Sequence, residues 1–231
     1  MTGENADRLL DAALAHVPFD GWSETTFRAA AADAGIDLAQ ARALYPRGAP
    51  GMAVAWHRRG DEAMAERLHQ SDLSALRYTE KVATAVRLRI EVIGDKEILR
   101  RSMALFALPQ HAPEGARLLW GTADRIWCEL GDTSDDINWY SKRAILSGVY
   151  GASVLYWLGD TSEGHAATWD FLARRMEGVT RFEKTKAKLR ENPLTGRLMA
   201  LPGRVMGNIR APSATPRDDL PGRWTGERRE S

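Results

Sequence analysis

This 231-residue sequence lacks most of the features that mark an enzyme or a membrane-spanning protein. Its single cysteine, Cys128, excludes an internal disulfide and indicates a reducing compartment. It has no glycine-rich loop that could hold phosphate, no nucleophile elbow and no paired cysteines. Its uncharged stretch at 144–158 is about five residues shorter than the roughly twenty that cross a bilayer. We therefore expect no membrane-spanning helix and no catalytic residues.

The five histidines are scattered, and only one of them lies at a metal-binding spacing. Glu66 and His69 form a Glu-x-x-His pair of the kind that di-iron helical bundles use. Such a site needs a second copy of the pair and two further glutamates, and the sequence has no second copy. We therefore predict no metal site and no cofactor, and we predict that the protein is not an enzyme.

Apolar residues recur at helical spacing along most of the chain, and no segment sustains the period-two alternation of a strand. The sequence therefore predicts an all-α fold. Near the start, we expect a helix that ends at Pro18, a second helix capped by Ser23 and closed by Gly35, and a short third helix over 38–44. Further helices are predicted over about 52–69, 80–93 and 97–107, from Pro113 to Gly131, from the cap at Thr133 or Ser134 to Leu158, and over 166–189.

A turn and a helix cap are predicted just before the uncharged stretch. Gly131 suits a left-handed helix end, and Thr133 or Ser134 could cap the helix that follows. Asp135 and Asp136 would then lie in the first turn, where the helix dipole favours negative charge. The helix itself is apolar on nearly all sides, which predicts a buried central position. Its many small residues could leave a groove for an apolar guest.

The two ends of the chain differ in charge although the formal net charge is only +1. Residues 4–50 carry seven acidic side chains and four arginines, whereas residues 184–210 carry seven basic side chains and one glutamate. In the basic segment the charges alternate with apolar residues, as in a helix that lies on an anionic membrane surface. The residues expected to associate with membrane are Leu194, Arg197, Leu198, Leu201, Arg204 and Val205. Prolines interrupt this segment, so a solvated tail is the alternative, and residues 211–231 are predicted to be disordered.

The first three predicted helices form a helix-turn-helix arrangement. With the ending Leu44-Tyr45-Pro46, this unit resembles the TetR repressor family, in which a tyrosine ends the recognition helix. DNA binding depends on cations that neutralise phosphates, yet the segment 38–44 offers only Arg42. A TetR-type ligand-responsive DNA-binding regulator therefore stays the alternative function, and we expect no nucleic-acid partner.

One face of the predicted eighth helix combines charges and aromatic side chains. Asp136, Trp139, Tyr140 and Arg143 follow each other at spacings of three, four and seven residues, so they share a helical face. Such residues carry much of the binding energy at protein interfaces, which makes this face a candidate partner surface. The alternative is that both aromatic side chains are core residues and the charges pair with their neighbours.

The chain resembles the Coq nine family of ubiquinone-biosynthesis lipid-binding proteins over roughly residues 9–179. The block that carries the resemblance most specifically is Gly131-Asp132, Ser134, Asp136, Asn138-Trp139-Tyr140, Arg143-Ala144 and Leu146. Supporting matches are Ala12-Ala13-Leu14, Val17-Pro18, Gly21-Trp22, Arg87-Leu88-Arg89, Ala107-Leu108-Pro109-Gln110-His111, Pro113, Trp169, Phe171-Leu172 and Arg174-Arg175.

The resemblance implies a TetR-like helical fold that does not act as a repressor. It implies a non-catalytic accessory protein that binds an isoprenoid or phospholipid and presents a quinone precursor to the demethoxyubiquinone hydroxylase, itself membrane-associated. The implied partner surface comprises Asp124, Ile126, Trp127, Asp136, Trp139, Tyr140 and Arg143. The resemblance also places Arg143 beside the lipid head group. We expect Leu146, Val149, Tyr150 and Val154 of the eighth helix to line the lipid cavity.

Four segments follow from these expectations. They are a helix-turn-helix-like unit at 1–50, a lipid- and partner-binding body at 51–183, the membrane-associating segment at 184–210 and the tail at 211–231. We expect a homodimer that forms through the last two helices of the body, as TetR-like folds usually do. Because no mitochondrial presequence is recognisable, we expect a bacterial cytoplasmic protein at the periphery of the inner membrane.

Overall fold

A computed structural model describes residues 2–191 and Ala211, with side chains described over 3–179 and at Ala211. These residues contain no strand, and the all-α prediction is confirmed. The helices are α1 (Thr2–Asp20), α2 (Glu24–Asp33), α3 (Leu38–Leu44), α4 (Ala49–His69), α5 (Tyr78–Glu91), α6 (Lys96–Ala107), α7 (Ala112–Glu129), α8 (Ile137–Gly159) and α9 (Ala166–Glu191).

The observed ends of the first helices match the predicted ends except at Pro18. The Ser23 hydroxyl accepts a hydrogen bond from the Thr26 amide, and Gly35 adopts a left-handed φ of 63° after α2. The prediction that Pro18 ends α1 is wrong, because the helix continues to Asp20. A proline in the last turn costs only one helical hydrogen bond, and the left-handed Gly21, whose amide donates to the Val17 carbonyl, ends the helix instead.

The turn between α7 and α8 differs from the prediction by a few residues. Gly131 is left-handed with a φ of 74°, as expected. The cap of α8 is Asp136, whose carboxylate accepts from the Asn138 amide at 2.9 Å, and not Thr133 or Ser134. The Ser134 hydroxyl donates instead to Asp132 within the turn, at 2.9 Å. Asp136 therefore stabilises the start of α8 by its cap hydrogen bond, and it does not lie in the first turn of the helix as predicted.

The buried apolar side chains form two clusters that α4 connects. One contains residues of α1 to α4 and Ile98 of α6, and the other contains residues of α4 to α9. Met52 belongs to the first cluster and Met64 to the second. Trp22 also links the two parts, because its indole N–H donates to the Ser102 hydroxyl at 2.8 Å. The domain limits at residues 50 and 183 remain predictions.

Helix α8 packs against α7 and α9 and is not buried on all sides. Leu146, Tyr150 and Trp157 are buried, whereas Gly148 is exposed and Leu155 keeps 59% of its surface exposed. The expectation of an all-round buried helix is therefore wrong for one face. The reason is that the neighbouring helices cover only part of its circumference, so its small and apolar residues include a solvent-facing stripe.

Candidate functional site

An apolar cavity of about 380 Å³ lies between α4, α5, α6, α7 and α8. This volume is at the lower end of the roughly 300–1,000 Å³ typical of ligand pockets. Its apolar lining is Trp56, Ile93, Leu99, Met103, Phe106, Ala107, Ala112, Ala116, Leu118, Leu119, Val154 and Leu155. The cavity can therefore enclose a guest of low polarity, or part of a longer one.

A buried ion pair lies beside the cavity. Arg89 of α5 is 2% exposed and lines the cavity, and its Nε donates to Asp61 of α4 at 2.6 Å. Its Nη2 donates to the backbone carbonyl of His57 at 2.9 Å. The Asp61 carboxylate also accepts from the hydroxyl of Thr122 on α7, at 2.8 Å. These contacts join three helices and compensate the burial of both charges.

Gly60 permits this arrangement because it has no side chain. A Cβ at this position would lie 2.8 Å from Cζ of Arg89 and 2.9 Å from each of its terminal nitrogens. The guanidinium therefore packs directly against the backbone of α4. On its other side, the guanidinium carbon lies 5.8 Å from the ring centroid of Tyr150, which also lines the cavity.

His57 adds a neutral imidazole to this group. Its Nε2 lies 2.9 Å from the Thr122 hydroxyl, and since that hydroxyl donates to Asp61, it can accept from an Nε2–H. Burial lowers the pKa of His57 to about 4, and the positive charge of Arg89 acts in the same direction against the opposing effect of Asp61. At neutral pH the side chains of Asp61, Arg89 and His57 therefore carry no net charge together.

The structure separates the five predicted lipid-binding residues into three groups. Tyr150 and Val154 line the cavity described above. Leu146 and Val149 instead line a second apolar crevice of about 330 Å³ between α5, α7, α8 and α9. Arg143 lines neither space, so the five residues do not form one site.

Arg143 is the centre of a buried ion-pair network between α7 and α8. It is 2% exposed, and its Nε donates to Asp124 at 2.5 Å while its Nη1 donates to Asp132 at 3.2 Å. The guanidinium carbon lies 4.0 Å from the ring centroid of Trp139. Although burial opposes it, hydrogen bonds from Lys142, Ser134 and Arg143 keep the pKa of Asp132 below its usual value. This network holds the turn against both helices.

The predicted partner surface is only partly exposed. Ile126 is fully buried in the core and Arg143 is buried in its ion-pair network, so the expectation that these side chains face a partner directly is wrong. Trp127 packs against the core, and its indole nitrogen is buried without a hydrogen-bond partner among the described residues. Ile126 is buried because it lies on the core-facing side of α7, and Arg143 is buried because its side of α8 packs against α7.

The remaining aromatic side chains form a surface cluster. Trp139 and Tyr140 meet edge to face at 4.7 Å between ring centroids, and Trp120 of α7 lies 5.9 Å from Trp139. All three rings are partly exposed. The side chain of Asp124 is 40% exposed at one end of the Arg143 network, and Asp136 is exposed at the helix cap. We call Trp120, Trp139 and Tyr140 the aromatic patch.

Sequence reasoning named Tyr150 as a lipid-binding residue, but it did not identify the other polar residues at or beside the cavity, which are His57, Asp61, Arg89 and Thr122. His57 and Asp61 stand four residues apart on one helical face, and the Arg87-Leu88-Arg89 match pointed to this region. However, Thr122 and Tyr150 reach the same place from other helices. No spacing along the chain relates 61, 89 and 122, so only the packing of α4, α5 and α7 brings them together.

Several predictions lie wholly or partly outside the described residues. The membrane-associating residues between Leu194 and Val205 are not described, and neither is the tail beyond Ala211. Over the ranges that are described, no helix is long and apolar enough to span a bilayer. The same ranges hold no group of three or more His, Cys, Asp or Glu side chains arranged for a metal ion.

The fold defines a structural class. A helix-turn-helix-like start and a larger helical part that encloses a cavity match a solved TetR transcriptional regulator from Nitrosomonas europaea. The TM-score is 0.62 over 74% of this chain and 95% of that chain, with 16% sequence identity. At this identity the match establishes the fold alone, and the predicted TetR-like fold is confirmed.

Within that class, residues 112–183 match the family described as COQ9. The chain is 33% identical over 183 residues to the mitochondrial ubiquinone biosynthesis protein COQ9 of Drosophila melanogaster, covering 76% of this chain and 55% of that protein. It is 31% identical over 178 residues to the COQ9 protein of Xenopus tropicalis, covering 73% of this chain and 56% of that protein. The chain thus spans a little over half the length of these relatives, and the resemblance to the Coq nine family is confirmed.

The predicted location is wrong. We expected a bacterial cytoplasmic protein at the periphery of the inner membrane, but the relatives from Drosophila melanogaster, Dictyostelium discoideum, Xenopus tropicalis and Rattus norvegicus are all named as mitochondrial proteins. The expectation rested on the lack of a recognisable presequence pattern, which does not determine location.

Proposed function

We propose that this protein is a non-catalytic lipid-binding accessory protein of ubiquinone biosynthesis. It binds an isoprenoid or a phospholipid and presents a quinone precursor to a hydroxylase of that pathway. The observation that carries the proposal is the apolar cavity between α4 and α8. The names of the relatives, which are ubiquinone biosynthesis proteins, support the pathway.

The physical basis of the proposed function is transfer between apolar environments. Burial of each methylene of a lipid tail contributes about 0.8 kcal/mol relative to water. A tail that moves from another apolar environment into the cavity therefore changes little in free energy, whereas a tail exposed to water is strongly disfavoured. The protein would thus lower the barrier to delivery without a chemical step.

Native mass spectrometry of the purified full chain tests lipid binding. We expect co-purifying quinone precursor or phospholipid, and we expect Ala116→Trp to lose it because the indole would fill the cavity mouth. Ala104→Trp, on the exposed face of α6 outside the cavity lining, is the matched control and should retain the lipid. Protein that stays lipid-free under conditions that preserve lipid complexes would contradict the proposal.

We also propose that the aromatic patch binds the hydroxylase. Partly exposed tryptophan and tyrosine side chains beside the Asp124 carboxylate provide apolar area and a charge at one surface. Trp139→Ala should weaken capture of the hydroxylase by about tenfold or more while lipid content stays unchanged. Phe19→Ala removes a more exposed aromatic ring from α1 and should leave capture intact. If both variants capture the hydroxylase equally well, the aromatic patch is not its binding surface.

A homodimer is part of the same proposal. The open face of α8 lies beside a groove toward α9, whose lining includes Gly148, Ala152 and Gly178. Such small residues would allow α8 and α9 of a second copy to approach this face closely. A dimer that forms through α8 and α9 requires this close approach. We therefore propose that two copies pair through this face.

The alternative of a TetR-type DNA-binding regulator has weaker physical support. The cation of α3, Arg42, forms an ion pair with Glu24 of α2 and packs over the Phe27 ring at 4.5 Å. Its charge is therefore already paired, and residues 4–50 are acidic overall. A gel-shift assay against the upstream region of the protein's own gene would separate the two functions, because tight and salt-sensitive binding is expected only of a regulator.

A further inference from the structure

We infer that the ligand enters the cavity head first, with a neutral oxygen of its head group bound by Arg89 and Tyr150. This inference rests on the proposed lipid-binding function and specifies which end of the lipid is buried. The buried polar residues of the cavity would then recognise the head group of the lipid. An apolar tail alone would need no polar partner there.

Two polar side chains of the cavity lining are buried in the protein interior. Arg89 and Tyr150 are each 2% exposed, and both line the cavity. Two of the three guanidinium nitrogens of Arg89 donate to protein oxygens, and the Tyr150 hydroxyl makes no side-chain hydrogen bond within the described part of the chain. Tyr150 lines the cavity and its hydroxyl is not one of the fully buried atoms that lack a partner, so it borders open space in which a ligand oxygen would accept a hydrogen bond from it.

The solvent-exposed residues of the cavity lining are apolar. Three alanines of the lining, Ala107, Ala112 and Ala116, are exposed, and so is Leu155. The exposed part of the lining, here called the mouth, is therefore apolar, whereas Arg89, Tyr150 and Ser102 of the lining are buried and the His57 side chain is 13% exposed. A ligand with one polar end gains hydrogen bonds only if that end passes the mouth and reaches the interior. Its tail then lies along the apolar wall and leaves through the mouth.

The ion pair beside the cavity determines which head-group charge the site accepts. The positive charge of Arg89 is already compensated by Asp61 at 2.6 Å, and His57 is neutral at physiological pH. An anionic phosphate or carboxylate would add an unpaired negative charge to a buried neutral group and would lie close to the Asp61 carboxylate. A neutral carbonyl, phenol or quinone oxygen accepts a hydrogen bond without that penalty. The site therefore favours a prenylated ring with neutral oxygens over an anionic head group.

Head-first binding has a consequence for delivery. A ring bound beside Arg89 is enclosed by α4, α5 and α8 and is not accessible to another enzyme. The ring must therefore leave the cavity before the partner can act on it. Presentation would then consist of release toward the partner rather than display of the ring at the protein surface.

Isothermal titration calorimetry with three matched probes tests the inference on the full chain. The probes are geranyl-1,4-benzoquinone, geranylbenzene and a geranyl-substituted benzoate, which share one tail and differ in the head. We expect the quinone to bind about fivefold or more tightly than geranylbenzene and more tightly than the benzoate. Tyr150→Phe should remove most of this preference by weakening quinone binding, while its affinity for geranylbenzene stays unchanged.

Two further variants control the test. Tyr156→Phe makes the same change on the exposed side of α8, where the ring stacks on Phe171, and should keep the wild-type preference. Arg89→Lys keeps a positive charge for Asp61 but loses the planar donor group, and in protein that circular dichroism shows to be folded it should also weaken quinone binding selectively.

The outcomes separate this inference from the proposed function. If the quinone and geranylbenzene bind equally, or if Tyr150→Phe keeps the preference, lipid binding stands but the head-first inference is wrong. Tighter binding of the benzoate would refute the neutral head group. If none of the three probes binds, the proposed lipid-binding function fails and this inference fails with it.

Discussion

At the scale of single residues, the interior of the protein depends on how the Arg89 guanidinium is held. Asp61 accepts its Nε–H, the His57 carbonyl accepts from Nη2, and the backbone at Gly60 leaves room for the planar group. A buried charge is tolerated only when its partners are in place, so small changes around Arg89 should have large effects.

Replacement of Gly60 tests this close approach. Gly60→Ala would place a methyl group 2.8 Å from Cζ of Arg89 and push the guanidinium away from Asp61. We expect the free energy of unfolding to fall by about 1–3 kcal/mol in urea denaturation. Gly121→Ala, also within a helix but with nothing within 4 Å of the added Cβ, should be neutral or stabilising by up to about 1 kcal/mol. Equal stability of the two variants would contradict the close packing of Arg89.

His57 should make stability depend on pH. Its pKa is lowered to about 4 in the folded protein, whereas an unfolded chain has the ordinary value near 6.5, so only the unfolded state gains a proton between these values. The resulting stabilisation is complete above pH 6.5 and is lost as the pH falls toward 4, by on the order of 3 kcal/mol. Denaturation at a series of pH values should show this loss in the wild type, and a much shallower one in His57→Gln. Parallel pH profiles would exclude His57 as the source.

At the scale of helices, the junction between α8 and α9 depends on one carboxylate. The Asp160 side chain accepts from the amide and hydroxyl of Ser162 and from the amide and hydroxyl of Thr168. These hydrogen bonds hold the pKa of Asp160 well below its usual range. They fix the direction in which α9 leaves α8, and hence the shape of the groove between the two helices.

Removal of one donor from this junction tests its importance. The Thr168 hydroxyl is fully buried and lies 2.5 Å from the Asp160 carboxylate. Thr168→Val keeps the shape of the side chain but removes the donor, so we expect a loss of about 1 kcal/mol or more in the free energy of unfolding. Thr161→Val, at an exposed position in the same loop, should change stability little. A neutral effect of both substitutions would mean that the junction does not depend on this hydrogen bond.

At the scale of the whole molecule, the open face of α8 predicts self-association. Gly148 is exposed, and an added Cβ would meet nothing within 4 Å, so the single chain itself tolerates a side chain there. In a dimer through α8 and α9, the same position would face the second copy. The groove it borders also contains Arg174 and Arg175, which makes a further positive charge unfavourable there.

Gly148→Arg should therefore yield a folded monomer in sedimentation-velocity experiments at concentrations where the wild type sediments as a dimer. We expect the affinity of dimerisation to fall by at least about tenfold, because a bulky cation would lie within the interface. Gly121→Arg, at an exposed position of α7 with equally open surroundings, should leave the dimer intact. If the wild type is monomeric, or if both variants remain dimeric, the α8–α9 face is not the interface.

Local sequence patterns predicted the helices because these patterns act over a few residues. The cap at Ser23, the left-handed Gly35 and Gly131, and the short helix over 38–44 all follow from side chains and backbone within one turn. The errors were local too. Pro18 was predicted to stop a helix that continues for two further residues, and the cap of α8 proved to be Asp136 because the Ser134 hydroxyl bonds to Asp132.

The sequence by itself determined the all-α class, the helix order and the resemblance carried by Asn138-Trp139-Tyr140, because periodicity, caps and a specific motif are properties of contiguous residues. Only the tertiary structure decided that Arg143 is buried, that Leu146 and Tyr150 line different spaces, and that Arg89 and Asp61 meet beside a cavity. Burial and cavity shape depend on which helices pack together and at what angle. That packing joins residues far apart in the chain, and no local pattern encodes it.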